Sequence, residues 1–419
     1  MRTTLLLTGT LAALFWGGQH AFAAAPQETA RAALAASPIV DGHNDVPEQL
    51  RSRFANDFSK FDFRDTRATK TSDAAAMHSD LIRLRAGKVG GQFWSVWVDP
   101  ALPEAEAVRQ VTEQIDTVER LIARYPDELV HARTAADIEA AFKGQRIASL
   151  IGMEGGHSIG SSLAVLRQMY RAGARYMTIT HFLTTPWADS ATDTPRHGGL
   201  APFGVAVIAE MNRLGMIVDL SHVSEATMND ALDVARAPVM FSHSGARGVD
   251  NHPRNVSDGV LVRVKINGGI VMIPFVSTYV SPAVWQWDAE RLAEEARAAS
   301  LHIGDPAGAK AARDAWIKDN PAPRATIAQV ADHIDHIARI AGIDHIGIGA
   351  DFDGTTNLVD GLEDVSTYPA LFTELARRGY TKADLEKIAS RNMIRVLRGV
   401  EATAAKMKDV PPSDAVIGK

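Results

Sequence analysis

Short apolar runs alternate along the chain with longer stretches in which apolar residues return every third or fourth position. Eight runs stand out: Pro38–Asp41, Gln92–Val98, Ile147–Gly152, Tyr176–Thr180, Met216–Leu220, Val239–Ser242, Gly269–Pro274 and His345–Gly349. Most are continuously apolar, which is the pattern of parallel strands covered on both faces. In Ala105–Arg124, by contrast, Val108, Val111, Ile115, Val118 and Leu121 fall on one helical stripe. The same period predicts helices at Leu163–Arg171, Gly204–Leu214, Glu225–Ala235 and Ala328–Ala341. Eight strands alternating with helices predict an α/β fold, a closed (β/α)8 TIM-like barrel. An open doubly wound sheet is the competing arrangement, but no Gly-rich dinucleotide fingerprint follows the first run.

The segment Ser277–Asn320 interrupts the last βα unit. Its Ala-, Glu- and Arg-rich middle predicts a helical insertion before the last strand, at about 277–320, within one domain spanning 24–419. Tyr368–Val400 predicts two C-terminal helices, the second capped by Thr381 with Asp384 in its first turn. At the other end, Arg2, the apolar stretch Leu5–Trp16 and Ala21-Phe22-Ala23 predict a signal peptide over residues 1–23. The expected product is an exported protein without a membrane anchor, periplasmic in a Gram-negative cell and otherwise secreted.

Composition narrows the chemistry. The 44 basic and 50 acidic side chains give a formal charge of -6, so no general attraction to nucleic acid is expected. Cysteine is absent. Disulfides and thiolate catalysis are excluded, and any metal must be held by imidazole and carboxylate.

Those groups sit at the ends of the apolar runs. The first run leads into Asp41-Gly42-His43-Asn44-Asp45 and the third into Met153-Glu154-Gly155-Gly156-His157. The fourth, fifth and sixth lead into His181, His222 and His243, and the eighth into Asp351-Phe352-Asp353-Gly354. In a barrel the C-terminal strand ends converge on one mouth. The alternation of an extended chain would point His43 and Asp45 the same way. Such a mixed His and carboxylate set suits Zn²⁺, with ligands enough for two ions if one carboxylate bridges them.

Each residue also has a bland reading: a strand-end turn for His43 and Asp45, a helix cap for Glu154, hydrogen-bonded core histidines for His222 and His243. All five being bland at five strand ends is the poorer account. His157 fits better as a brace of the Gly-rich turn, and Asp353 as a supporting or turn residue. Asp332-His333-Ile334-Asp335-His336 also looks metal-like, but it lies inside a helical pattern with Val330, Ile334, Ile337 and Ile340 on the apolar face. Its polar residues are therefore expected on the solvated face. There is no His-Glu-x-x-His helix and no Gly-x-Ser-x-Gly elbow.

Read together, these strings resemble the membrane (renal) dipeptidase family, peptidase family M19. Further matching strings are Arg83–Gly87, Gln92–Ser95, Thr185–Asp189, Asp219–Ser224, Phe241–Ser244, Arg254–Val256, Gly349–Gly354 and Gly361–Val365, with Asn392 beyond them. The resemblance spans about residues 36 to 400. It implies a zinc-dependent dipeptidase with two Zn²⁺ per subunit. His43 and Asp45 would bind one ion, His222 and His243 the other, and Glu154 would bridge them. A hydroxide between the ions would attack the peptide carbonyl. His181 would contact the substrate and stabilise the tetrahedral intermediate. Asp351 would hold the attacking water and pass its proton to the leaving amine. Arg254 would grip the dipeptide's terminal carboxylate. The resemblance further implies L,L and L,D dipeptides as substrates, a side activity on carbapenem-type β-lactams, and a homodimer.

Where animal members carry a Cys-Asn pair before Thr-Pro-Trp-Ala-Asp, this chain has Leu183-Thr184. Met272–Val276 and the long insertion after it are similar to bacterial members and bear on side-chain preference. The rival enzyme reading is another binuclear-metal amidohydrolase acting on cyclic amides, lactones or phosphotriesters. Relatives of that type often use a carbamylated Lys bridge, whereas the third run offers Glu154. A metal-binding protein without activity would need none of Asp351, His181 and Arg254.

Overall fold

The computed structural model describes residues 24–72 and 74–418. The expected signal peptide lies outside the described residues. Nine parallel strands form the sheet: β1 (Ile39–Asn44), β2 (Val89–Trp97), β3 (Leu129–His131), β4 (Ile147–Glu154), β5 (Ala174–Thr178), β6 (Ile217–Asp219), β7 (Met240–Phe241), β8 (Ile270–Ile273) and β9 (Ile346–Ile348). Their order runs β2-β1-β9-β8-β7-β6-β5-β4-β3, and a further pairing of β2 with β4 closes the ring. Eight strands thus make the barrel expected from the sequence, with helices on its outside.

β3 is the strand that the apolar pattern did not predict. It pairs with Ile147–Ser149 at the start of β4, while β5 pairs with Ile151–Glu154 farther along the same strand. β3 therefore fills the half of that edge which β5 leaves free, and its three residues are too few to make an apolar run. Helices Pro26–Ala36, Val46–Phe54, Leu81–Ala86, Ala135–Lys143 and Asp258–Asn267 are likewise additions to the pattern. The predicted helices appear at Glu104–Arg124, Leu163–Ala172, Pro202–Leu214, Glu225–Val234 and Ile327–Ile340.

Inside the ring the side chains pack solidly. Val40, Phe93, Leu150, Tyr176, Met240 and Met272 are fully buried in one cluster with Met393, Val396, Leu397 and Val400. The last four belong to helix Asn392–Lys406, which thus seals the barrel interior against its C-terminal segment. With the interior filled, a ligand meets the barrel only at the strand ends. The second C-terminal helix foreseen from the sequence is three pieces: Lys382–Glu386, a π-turn at Lys387–Arg391, and Asn392–Lys406. Thr381 caps its start, and Asp384 reciprocates in a capping box.

Between β8 and helix Ile327–Ile340 come a short helix Ser277–Val280 and two longer ones, Pro282–Leu301 and Pro306–Asp319. The long pair packs together, with the Trp287 and Trp316 rings 6.1 Å apart. The short helix carries Thr278 and Tyr279 to the barrel mouth.

Helix Ile327–Ile340 corrects one expectation. His333 and His336 are buried, not solvated. His333 Nδ1 accepts from Ala246 N at 2.8 Å, and His336 Nε2 lies 2.6 Å from Asp258. Asp332 and Asp335 pair with Arg378. The helix is wedged between the segment that follows β7 and the C-terminal helices, so it has more than one buried side. Its imidazoles are taken up by these contacts and join none of the possible ligand groupings among the described residues.

Candidate active site and metal centre

At the mouth the predicted residues converge. β1 runs on through His43 and Asn44, and Asp45 starts helix Val46–Phe54. Asp45 has φ -99° and ψ 25°, so it is not extended, yet its Oδ2 reaches within 3.3 Å of His43 Nε2. Glu154 is the last residue of β4. Its Oε2 lies 3.3 Å from His43 Nε2. Its Oε1 lies 3.0 Å from His222 Nε2, 3.4 Å from His243 Nε2 and 3.6 Å from His181 Nε2. One carboxylate therefore turns each oxygen to a different imidazole group. Asp351 Oδ1 closes the first group at 4.0 Å from His43 Nε2.

The backbone around these groups is strained. His222, Asp351 and Asp353 all have φ between 65° and 69°. For residues with a Cβ this left-handed region costs about 1–2 kcal/mol each. Three such residues, one after β6 and two after β9, indicate that side-chain placement there is imposed by the surrounding structure.

Buried hydrogen bonds fix the imidazoles. His243 Nδ1 meets Ser242 Oγ at 2.8 Å, and that hydroxyl donates to Asp219 Oδ2 at 2.6 Å. The Ser242 hydrogen is thereby committed, so His243 Nδ1 carries a proton and its Nε2 a lone pair. His43 Nδ1 lies 2.9 Å from the Tyr176 hydroxyl. Asp41 accepts from His43 N at 2.8 Å and from the Tyr368 hydroxyl, tying β1 to the C-terminal helices. The sequence reading did not single out Asp41, Asp219, Ser242 or Tyr176 as supports. A carboxylate two or three residues ahead of a strand-end His, as in Asp41-Gly42-His43 and Asp219-Leu220-Ser221-His222, was the available signal.

Burial governs the electrostatics. It holds His222 and His243 well below the usual imidazole range, helped by Arg254. It pushes His181 down to about 4. Asp351 is held well above the carboxylate range, first by burial and then by Asp45 and Glu154. His43 is the exception. Burial opposes its protonation, but Tyr176, Glu154 and Asp45 together keep it well above the usual range. Glu154 is held low by the surrounding imidazoles despite its burial. The centre is thus built for positive charge amid three carboxylates.

These donors fit divalent cations. His43 Nε2 is buried without a hydrogen-bond partner, and the Nε2 atoms of His222 and His243 face each other at 2.8 Å. Converging imidazole lone pairs and carboxylates are the donor set of zinc and similar ions. Three ligand groupings are within reach of one another: His43, Glu154 and His243; Glu154, His181 and His222; His43, Asp45 and Asp351.

The remaining residues fall around this centre. His157 braces the turn through its Nε2 to Val98 O at 3.1 Å and joins no ligand grouping. Asp353 accepts from His78 N at 2.7 Å. Arg254 is 1% exposed. Its guanidinium donates to Ser244 Oγ and His243 O and lies over the Tyr279 ring, 5.2 Å from its centroid. Tyr279, and not Arg254, lines the cavity. That cavity, of about 360 Å³, is walled by Glu48, Trp97, Phe182, Tyr279 and the charged centre. It is near the small end of ligand cavities, which span about 300–1,000 Å³.

Among the described residues no helix is long and apolar enough to cross a membrane. The fold is shared with solved structures. The probable dipeptidase PvdM from Pseudomonas aeruginosa is 23% identical, with a TM-score of 0.77 over 90% of this chain and 99% of that one. A metallopeptidase from Rhodobacter sphaeroides, liganded with a phosphinate mimic of the dipeptide L-Ala-D-Ala, is 22% identical, with a TM-score of 0.69 over 87% and 99%. Residues 27–410 match the membrane dipeptidase family, peptidase family M19. With that match over nearly its whole length, and a buried His and carboxylate centre at the mouth of its barrel, the chain belongs to the membrane dipeptidase family of metal-dependent dipeptide hydrolases.

Proposed function

We propose that the protein is a binuclear zinc dipeptidase acting on free L,L and L,D dipeptides. The carrying observation is Glu154, whose two oxygens face two separate imidazole groups. In this reading His43 and Asp45 would hold one ion, His222 and His243 the second, and Glu154 would serve both. The ions when bound supply Lewis acidity and acidify a water at neutral pH.

The chain's own groups do the rest. Asp351, in carboxylate form beside the bound cations, takes a proton from the attacking water and returns it to the leaving amine. His181 is neutral, because burial holds its pKa down, and it donates to the oxygen that gains charge from the scissile carbonyl. Arg254 pairs with the terminal carboxylate once the Tyr279 ring moves aside; a planar guanidinium suits that bidentate contact. The filled barrel interior and small cavity exclude longer peptides. The phosphinate dipeptide mimic held by the Rhodobacter sphaeroides relative supports an L,D substrate here and should inhibit this enzyme. A carbapenem offers a strained amide near a carboxylate and belongs on the same substrate panel.

The test is amine release from L,L and L,D dipeptides by zinc-reconstituted protein, with N-blocked and C-amidated controls and metal counted per chain. Two ions and cleavage of free dipeptides only is the expected result. Two bound ions with no dipeptide cleaved would overturn the reading.

A further inference from the structure

One wall of the cavity holds a carboxylate that the mechanism does not use. Glu48 lies in the first turn of helix Val46–Phe54, three residues beyond Asp45 and about 4.5 Å farther along the helix axis. It lines the cavity with Gln49, Trp97 and Phe182. Glu48 makes no ion pair among the described residues; neighbouring Arg51 pairs with Glu113 instead. Its Oε2 accepts one hydrogen bond, from Gln114 Nε2 at 3.1 Å. Gln114 is fully buried and its Oε1 is taken by Trp97 N at 2.9 Å. A buried amide anchored to the end of β2 therefore holds this carboxylate at the cavity wall. Burial and then the neighbouring Asp45 push its pKa up to about 7, so above that pH it stands at the wall as a carboxylate whose remaining lone pairs are free for whatever enters.

Position decides which part of a substrate it meets. In the dipeptidase reading, on which this inference rests, Arg254 takes the terminal carboxylate from behind Tyr279. The first residue of the dipeptide then lies toward Asp45 and Glu48. Its α-ammonium, two bonds from the scissile carbonyl, stays close to the metal-binding carboxylates. Glu48, one helical turn out, is left to the side chain. We infer that Glu48 is a specificity-determining residue that selects dipeptides whose first residue carries a cationic side chain, lysine or arginine.

The experiment compares kcat/KM for Lys-Ala, norleucine-Ala and Glu-Ala, using zinc-loaded wild type, Glu48→Gln and Glu48→Lys. Norleucine keeps the four-carbon stem of lysine without its ammonium group. At about pH 8, where Glu48 is ionised, a charge-assisted hydrogen bond predicts a wild-type preference for Lys-Ala over norleucine-Ala of about ten-fold or more. In Glu48→Gln that ratio should fall to near one, and in Glu48→Lys Glu-Ala should overtake Lys-Ala. The ratio reads the side-chain contact whatever the substitution does to all substrates together. A wild-type ratio near one, or a ratio that Glu48→Gln leaves in place, overturns the inference. So does a loss equal across all three substrates, which would assign Glu48 to the shared α-ammonium. If no dipeptide is cleaved with metal bound, the dipeptidase reading itself has failed, an outcome distinct from active enzyme without the preference.

Discussion

The hydroxyl of Tyr176 stands 2.9 Å from Nδ1 of His43, joining the interior of β5 to the end of β1 beneath the charged centre. If Nε2 offers its lone pair to a cation, Nδ1–H donates to that hydroxyl, and the contact fixes both tautomer and ring orientation. Tyr176→Phe keeps the packing and removes the contact. Apparent zinc affinity should fall about 10- to 100-fold, measured by chelator competition, with far-UV circular dichroism unchanged. Unchanged affinity would reduce Tyr176 to a packing residue.

Asp351 closes the His43 grouping at its longest distance, 4.0 Å, which suits a proton carrier better than a required ligand. Asp351→Asn should bind as much metal per chain as wild type and lose about 10²–10⁴-fold in kcat. Loss of a metal together with activity would instead make Asp351 a ligand.

Arg254→Met removes the proposed anchor for the substrate carboxylate. KM for free dipeptides should rise about ten-fold or more. The advantage of free over C-amidated dipeptides should also disappear. If the variant still discriminates between the two, the carboxylate is read elsewhere.

His333 supplies a pH effect on stability. Burial pushes its pKa down to about 4, from an ordinary 6.5. Its Nδ1 already accepts from Ala246 N, so a proton there would face another N–H. Between pH 6.5 and 4 the unfolded chain binds a proton that the folded chain refuses. Stability is therefore complete above 6.5 and falls as pH drops through that window, by about 2 kcal/mol at pH 5 for this one group. His333→Gln preserves an acceptor and a donor without the titration. Urea unfolding at pH 7 and pH 5 should show a smaller loss in the variant than in wild type; equal losses would count against His333.

Strands and site were legible for the same reason. Parallel strands covered on both faces are apolar runs, and polar residues directly after such runs fall on the mouth, as His43, Glu154, His222, His243 and Asp351 do. Contacts set by strand neighbours were not legible. Ser242 meets Asp219 because β7 lies beside β6, and Tyr176 meets His43 across the interior. Val46–Phe54 escaped notice because its charged residues and Pro47 mask a helix with only three buried positions. His333 was misread because one apolar stripe was visible while the second packed side depended on where other segments fold. Arg254 was placed in the right neighbourhood, but the Tyr279 ring between it and the cavity follows from the insertion's path.

The junction of β1 with the C-terminal part of the barrel sets a timetable for the nascent chain. Asp41, which fixes His43, and Tyr368, which bonds to it, are 327 residues apart in sequence. At about 5–20 residues per second, the ribosome needs roughly 15–65 s to deliver the second after the first. During that interval no ring can close and the centre cannot assemble. The early His and Asp residues must wait unsheltered, so ion loading is an event of the finished polypeptide and not of its synthesis.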